Sequence, residues 1–276
     1  MSLGWRKFKD RAFTCLAALS VVLAMVPLIS ILYAVLKMGL SSINLDFLTG
    51  LPKPVGEPGG GFGNAIHGSF IVVGIASVIG LPVGILAGVY LAEYGNNKIG
   101  RTVSFVADVL TGVPSIVTGI FAYVLVVLSL GTFSAIAGGV ALATIMIPVV
   151  VRTTEEAMKL VPLELKEASL ALGIPQWKTS LRIVLSTARF GIITGALLAI
   201  ARISGETAPL LFTSFNNRYW FDGVLNPVAT LPVMIYTYAI SPFEEWHAQA
   251  WGGAIVLIFI VLMLNVCVRF AARQRY

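Results

Sequence analysis

Apolar residues fill six long blocks of this chain, and nearly all charge is confined to the intervals between them. The blocks run Ala12–Leu36, Ala65–Leu91, Val103–Leu130, Phe133–Val151, Phe190–Phe212 and Trp251–Val268. Each approaches or exceeds the ~20 residues a helix needs to cross ~30 Å of hydrocarbon. Barrel strands would instead alternate apolar and polar positions over ~10 residues, which these unbroken runs do not. The pattern therefore predicts an all-α polytopic membrane protein with six transmembrane helices. The first block exceeds the apolar core of a cleavable signal peptide and lacks its small-residue cleavage site, so it reads as helix 1.

The intervals differ in character. Gly39 to Gly63 holds Asn44, Asp46, Pro52, Pro54 and the stretch GEPGGGFGN, which reads as a flexible loop. Thr213 to Ala250 carries Tyr219, Trp220 and Trp246, residue types that anchor a membrane–water boundary or dock an outer partner. Arg152 to Arg189 is the most heavily charged. Pro162 can open a short helix there, and Gly173 followed by Pro175 ends it. Gln176-Trp177-Lys178 then starts a second helix leading back to the membrane. Glu156, Lys159 and Lys166 supply a solvated face, and Leu160, Leu163, Leu165, Leu170 and Leu172 supply apolar contacts. The interval reads as an ordered helix-turn-helix. The division expected is 1–64 for the first helix and its loop, and 65–272 for a permease core containing loop 152–189.

Charge fixes the orientation. Of the 19 basic residues, fifteen fall in or beside the second and fourth loops and the two ends, Arg273 and Arg275 among them. Lys37, Lys53 and Arg218 fall on the other side, and Arg202 falls within a block. Positive-inside bias then puts both termini and the Arg152–Arg189 loop in the cytoplasm. The same distribution explains the net charge of +6 without nucleic acid. Hydrophobic residues make up 57% of the chain, charged ones 12%, and mean hydropathy is +0.90, which excludes a soluble domain. Cys15 and Cys267 lie in apolar runs and read as structural thiols. His67 and His247 have no metal-ligand neighbours at a suitable spacing. No GxxxxGK[ST], HExxH, Ser–His–Asp set or dinucleotide fingerprint occurs, so neither a nucleotide site nor a catalytic centre is expected on this chain.

Charges within a membrane helix cost ~2.5–3.5 kcal/mol each at its centre and need a reason. Arg202 and Glu206, in ARISGETAPL, stand four residues apart, a spacing that puts both on one helical face. They read either as a salt bridge locking the fifth helix or as a cavity-facing station offering a permanent planar cation to an oxyanion. Arg152 and Glu155, at the inner end of the fourth block, allow the same two readings. In the third block, Asp108 precedes Gly112, Pro114, Ser115, Thr118 and Gly119, which predicts a broken or closely packed helix. The glycines of the second block are at small-residue packing spacing.

The inner loop resembles the EAA motif of ABC-importer permeases: Glu167-Ala168, then Gly173, then Ile183 and Leu185 at the motif's spacing. Ser169 replaces the second alanine and Ser186 the closing proline. The segments TGVPSIV (111–117), VRTTEEAMKLVP (151–162) and ARISGETAPLLFT (201–213), with LAEYG (91–95) and SPFEEW (241–246), resemble the PstA-type permease subunit of the phosphate ABC importer. That resemblance implies a type I importer permease fold, with helices 2 to 6 forming the core and helix 1 wrapping a partner. It implies a PstC-like second permease, a PstB-like ATPase dimer, a PstS-like periplasmic phosphate-binding protein, and a bacterial inner membrane. ATP would bind the partner subunits, so the chain has no cofactor of its own. Arg202 and Glu206, with Arg152 and Glu155 as a second pair, would lie on the phosphate path. Glu167, Ala168, Ser169 and Gly173 would couple to the ATPase. Another oxyanion as cargo, sulfate or molybdate, and a scaffold in phosphate sensing are the alternatives.

Overall fold

The computed structural model describes residues 3–57 and 59–272. Arg273 and Arg275, Met1 and Ser2 of the basic lead-in, and Pro58 of the glycine-rich loop lie outside the described residues. The helices are α1 (Leu3–Gly39), α2 (Leu45–Thr49), α3 (Gly63–Tyr94), α4 (Lys98–Gly112), α5 (Ser115–Leu130), α6 (Ala135–Lys159), α7 (Leu163–Ala171), α8 (Gln176–Ile203), α9 (Ala208–Leu211), α10 (Leu231–Ala239) and α11 (Glu244–Ala272). Five of them (α1, α3, α6, α8 and α11) contain a segment long and apolar enough to cross a membrane.

The sixth expected span is two helices. α4 and α5 meet at a bend of 108°. Gly112 is a weak helix former, and Pro114 forces the residue before it out of the helical region; Val113 is extended at φ −74°, ψ 129°. The predicted break at Gly112–Ser115 is thus a sharp corner.

α6 is the hub. Ser134 caps its first turn by accepting from the Ala137 N–H at 3.2 Å, and 67% of its apolar window is buried. α3 lies along it through a ladder of glycines one turn apart. A methyl group at Gly80 would stand 2.9 Å from Met146 Sδ, one at Gly84 2.7 Å from Val150 Cβ, and one at Gly88 2.6 Å from Thr154 Cβ. These glycines let two backbones approach where lipid gives no hydrophobic drive to pack helices. α8 crosses α6 in the same way, with Gly191 against Ala157 and Gly195 against Thr153. α11 joins α8, α10 and the end of α1, where Gly39 abuts the Trp251 carbonyl. By contrast, none of the apolar window of α1 is buried.

The charged interval folds as a helix-turn-helix. α7 begins after Pro162. Gly173 takes φ +77° in the turn that follows, a conformation cheap only for glycine, and Pro175 opens α8. The leucines that were to supply apolar contacts stay exposed in this chain. Leu160 and Leu172 are more than 80% exposed, and Leu163, Leu165 and Leu170 are exposed as well.

α8 also departs from the reading of the fifth block at its far end. A helix through Phe212 was expected, whereas α8 stops at Ile203 and a separate turn, α9, follows Thr207. Pro209 cannot donate to the carbonyl four residues back and clashes with it, and Gly205 adds no helical preference. Ser204 Oγ donates to the Ile200 carbonyl at 2.7 Å, closing the end.

Candidate functional site

Two charged stations lie along α4 and the corner that ends it, one closed and one open. The closed one is built on Arg152, near the end of α6. Its Nε donates to Asp108 Oδ1 at 3.0 Å, and its Nη2 to the same oxygen at 2.5 Å. Nη2 also donates to Ser104 Oγ at 2.7 Å and the Ser104 carbonyl at 3.0 Å, and Nη1 to Glu155 Oε2 at 2.7 Å. The second Glu155 oxygen meets Lys159 Nζ. The charges balance, two positive against two negative. The Glu155 side chain is 10% exposed and Asp108 64% exposed, so the network runs from the packed bundle outward. Beside it is a cavity of about 400 Å³ lined by Glu93, Arg101, Ser104, Asp108, Glu155 and Lys159. Sequence reading picked out Asp108 and Arg152 separately; their pairing, 44 residues apart, followed from no local pattern.

The open station is built on Arg202, in the last turn of α8, where a cation complements the negative end of the helix dipole. Because α8 ends one residue later, Arg202 and Glu206 do not share a helical face, contrary to the spacing argument. No ion pair joins them among the described residues. Both line a cavity of about 240 Å³, walled by Thr111, Val113, Pro114 and Ser115 of the corner and by Ile145, Pro148 and Val149 of α6. Liquid water takes about 30 Å³ per molecule, so the space holds a tetrahedral oxyanion together with water. Ser115 opens α5, directing the positive end of that helix to the same side. The corner, Arg202 and Glu206 therefore supply fixed positive charge, hydroxyls and one adjustable carboxylate around one cavity.

Of the predicted loop residues, Glu167 and Ala168 are exposed on α7, and Gly173 makes the turn. Ser169 is buried, and its Oγ stands 2.8 Å from Thr179 Oγ1 on α8. The serine in place of the motif's alanine thus ties α7 to the helix after it. Among the described residues, no three His, Cys, Asp or Glu side chains are grouped to hold a metal. Cys15 and Cys267 are exposed free thiols. His67 faces the rings of Trp220 and Phe221, and His247 contacts the Ser241 carbonyl.

Residues 80–274 match the family described as binding-protein-dependent transport system inner membrane component. The chain is 44% identical over 267 residues to the phosphate transport system permease protein PstA of Yersinia pestis, covering 96% of this chain and 90% of that one. It is also 44% identical to the PstA of Pasteurella multocida over 98% of this chain and 96% of that one. Among solved structures, a chain of a bacterial alginate ABC transporter superposes with a TM-score of 0.67 at 14% identity, covering 98% of each chain, a likeness of fold alone. The chain belongs to the binding-protein-dependent transport system inner membrane components and, within them, to the PstA family of permeases.

Proposed function

We propose that this chain is the permease subunit through which an ATP-driven importer carries inorganic phosphate across the bacterial inner membrane. The observation that carries the reading is the Arg202 station: a permanent cation, without an ion-pair partner among the described residues, facing a cavity at a helix corner beside Glu206. Its likeness along nearly the whole chain to phosphate permeases supports phosphate as the oxyanion. A transit site must attract cargo and still release it, and one arginine with a neighbouring carboxylate meets both needs. Glu206 shares the cavity with Arg202 and limits the net positive charge that phosphate meets there, so the anion is not held too tightly to leave. Arg152 and Glu155, whose donors and acceptors are already engaged, line the path as a brace that holds α4 to α6.

In this reading α7 is the coupling helix. Exposed Glu167, Ala168, Leu163 and Leu170 form a mixed apolar and acidic surface that docks on a PstB-like ATPase dimer, which binds the ATP. A PstC-like permease completes the pathway, and a PstS-like periplasmic protein delivers phosphate to the outer face. The unburied α1 lies against that second permease and lipid. Both termini are cytoplasmic, on the side of the positive loops. ATP binding moves α7, the two permeases rock outward to receive phosphate, and hydrolysis returns them.

The test is radiolabelled phosphate uptake in phosphate-starved cells lacking this chain, restored with wild type or Arg202→Gln, with sulfate and molybdate as competitors. Uptake restored by wild type alone, and indifferent to both competitors, is the expected result. Inhibition by sulfate or molybdate would reassign the cargo. Equal restoration by Arg202→Gln would remove Arg202 from the path.

A further inference from the structure

Glu93 has no place in the pathway described, yet its carboxylate is deeply buried, with a side chain 4% exposed. It stands in the last turn of α3, where the helix dipole is negative and a carboxylate is disfavoured. A buried charge at such a place needs partners, and it has two from different elements. One oxygen forms an ion pair with Lys166 Nζ of α7 at 2.5 Å. The other accepts from Ser180 Oγ at 2.9 Å. Ser180 begins a π-helical turn, Ser180–Val184, by which α8 leaves the loop. Such turns are concentrated at functional sites.

One carboxylate thus pins three elements together: the end of α3, the loop helix α7, and the root of α8. The tie has a defined outlet. α3 is locked to α6 by the glycine ladder at Gly80, Gly84 and Gly88, a seam too tight for sliding without clashes. α6 carries Arg152, and Arg152 holds α4 just before the corner that walls the Arg202 cavity.

We infer that Glu93 is the positioning residue that makes α7 and α3 move as one body, so that displacement of the loop by the ATPase reaches the Arg202 cavity through α3 and α6. This rests on the reading of α7 as the coupling helix. A carboxylate suits the task because one group engages an ammonium and a hydroxyl on different helices at once. Glu93→Gln keeps the shape and a hydrogen-bonding oxygen but loses the ion pair, so it separates coupling from folding.

The experiment uses the whole importer in lipid nanodiscs and in proteoliposomes, with Cys15→Ser and Cys267→Ser as background. Spin labels go on Tyr94 of α3 and Ala171 of α7, both open to labelling. In the wild type the distance between them stays constant when a non-hydrolysable ATP analogue binds. In Glu93→Gln it changes. This readout is independent of the cargo. In proteoliposomes Glu93→Gln retains ATP hydrolysis, while phosphate carried per ATP falls about tenfold, the scale of a typical coupling between sites. The charge swap Glu93→Lys with Lys166→Glu recovers a part of that ratio which neither single change does. A wild-type distance that shifts with nucleotide overturns the inference, as does Glu93→Gln with an unchanged transport-to-ATP ratio. Hydrolysis and uptake falling together in the variant would reduce Glu93 to a structural role. If wild type hydrolyses ATP and moves no phosphate, the phosphate reading fails, and the label distance alone decides the clamp.

Discussion

Arg152 and Arg202 have the same side chain, and both are semi-exposed or open at the edges of one helix corner, yet their surroundings assign them opposite work. Arg152 spends its donors on Asp108, Ser104 and Glu155. Its charge is cancelled where it stands, and what it contributes is the attachment of α4 to α6. Arg202 has no ion pair among the described residues and faces a cavity. Its charge is kept available. An intramembrane arginine is thus informative only once its partners are counted: a satisfied one braces, and an unsatisfied one waits for an anion.

The largest effect expected from breaking that contrast is at Arg202. Arg202→Gln should lower phosphate uptake about a hundredfold, the scale for removing one donor to an oxyanion. The assembled complex should be as abundant and as heat-resistant as wild type, because no ion-pair partner is stranded. Uptake and complex abundance, measured side by side, check this; a loss of complex instead would make Arg202 a brace like its counterpart.

Arg152 should show the reverse. Arg152→Met leaves Glu155, 10% exposed in a packed helix interface, with Lys159 alone, and removes the hold on Asp108 and Ser104. Breaking a pair of this kind costs about 3 kcal/mol. The variant should appear as lost complex on heating, while the complex that survives transports at nearly the wild-type rate. Replacing both members, Arg152→Met with Glu155→Met, should recover much of the heat resistance, since no buried charge is stranded and Lys159, 58% exposed, is left to water. If the double variant is as fragile as the single, the damage came from losing the hold on Asp108 and Ser104.

Gly84→Ala probes the support beneath the brace. The new methyl would meet Val150 Cβ at 2.7 Å across the α3–α6 seam, and overpacking of this kind costs about 2 kcal/mol. Thermal stability should drop by less than in Arg152→Met. The same change at Gly74, which has open space around it, should be silent.

What could be read from the chain divides along the range of the physics involved. The helices, the loop's helix-turn-helix and the break near Pro114 depend on neighbours within a few residues, and hydropathy, proline and glycine reveal them. The Gly80, Gly84 and Gly88 spacing announced a packing face but not that α6 would fill it. The Arg202–Glu206 pairing failed for an identifiable reason: the four-residue rule presumes an unbroken helix, and Gly205 with Pro209 breaks it. The leucines of α7 were legible as apolar contacts, but only the structure shows that this chain leaves them exposed. Asp108 with Arg152, and Glu93 with Lys166, were unreadable because they join residues 44 and 73 positions apart through tertiary packing.

The smallest effect sharpens the contrast most finely. Asp108 accepts two donors from Arg152, but its side chain is 64% exposed, so water already competes for both. Exposed ion pairs contribute about 0.5 kcal/mol. Asp108→Asn keeps a carbonyl oxygen for Arg152 and should cost little in heat resistance, far less than Arg152→Met. The substitution does change the charge balance of the station, from neutral to one net positive. If Arg152 is only a brace, phosphate uptake in Asp108→Asn stays within about twofold of wild type and its salt dependence is unchanged. If uptake rises, or inhibition by competing anions strengthens, Arg152 gains access to the anion once Asp108 releases it. The two arginines would then differ in degree of neutralisation and not in kind.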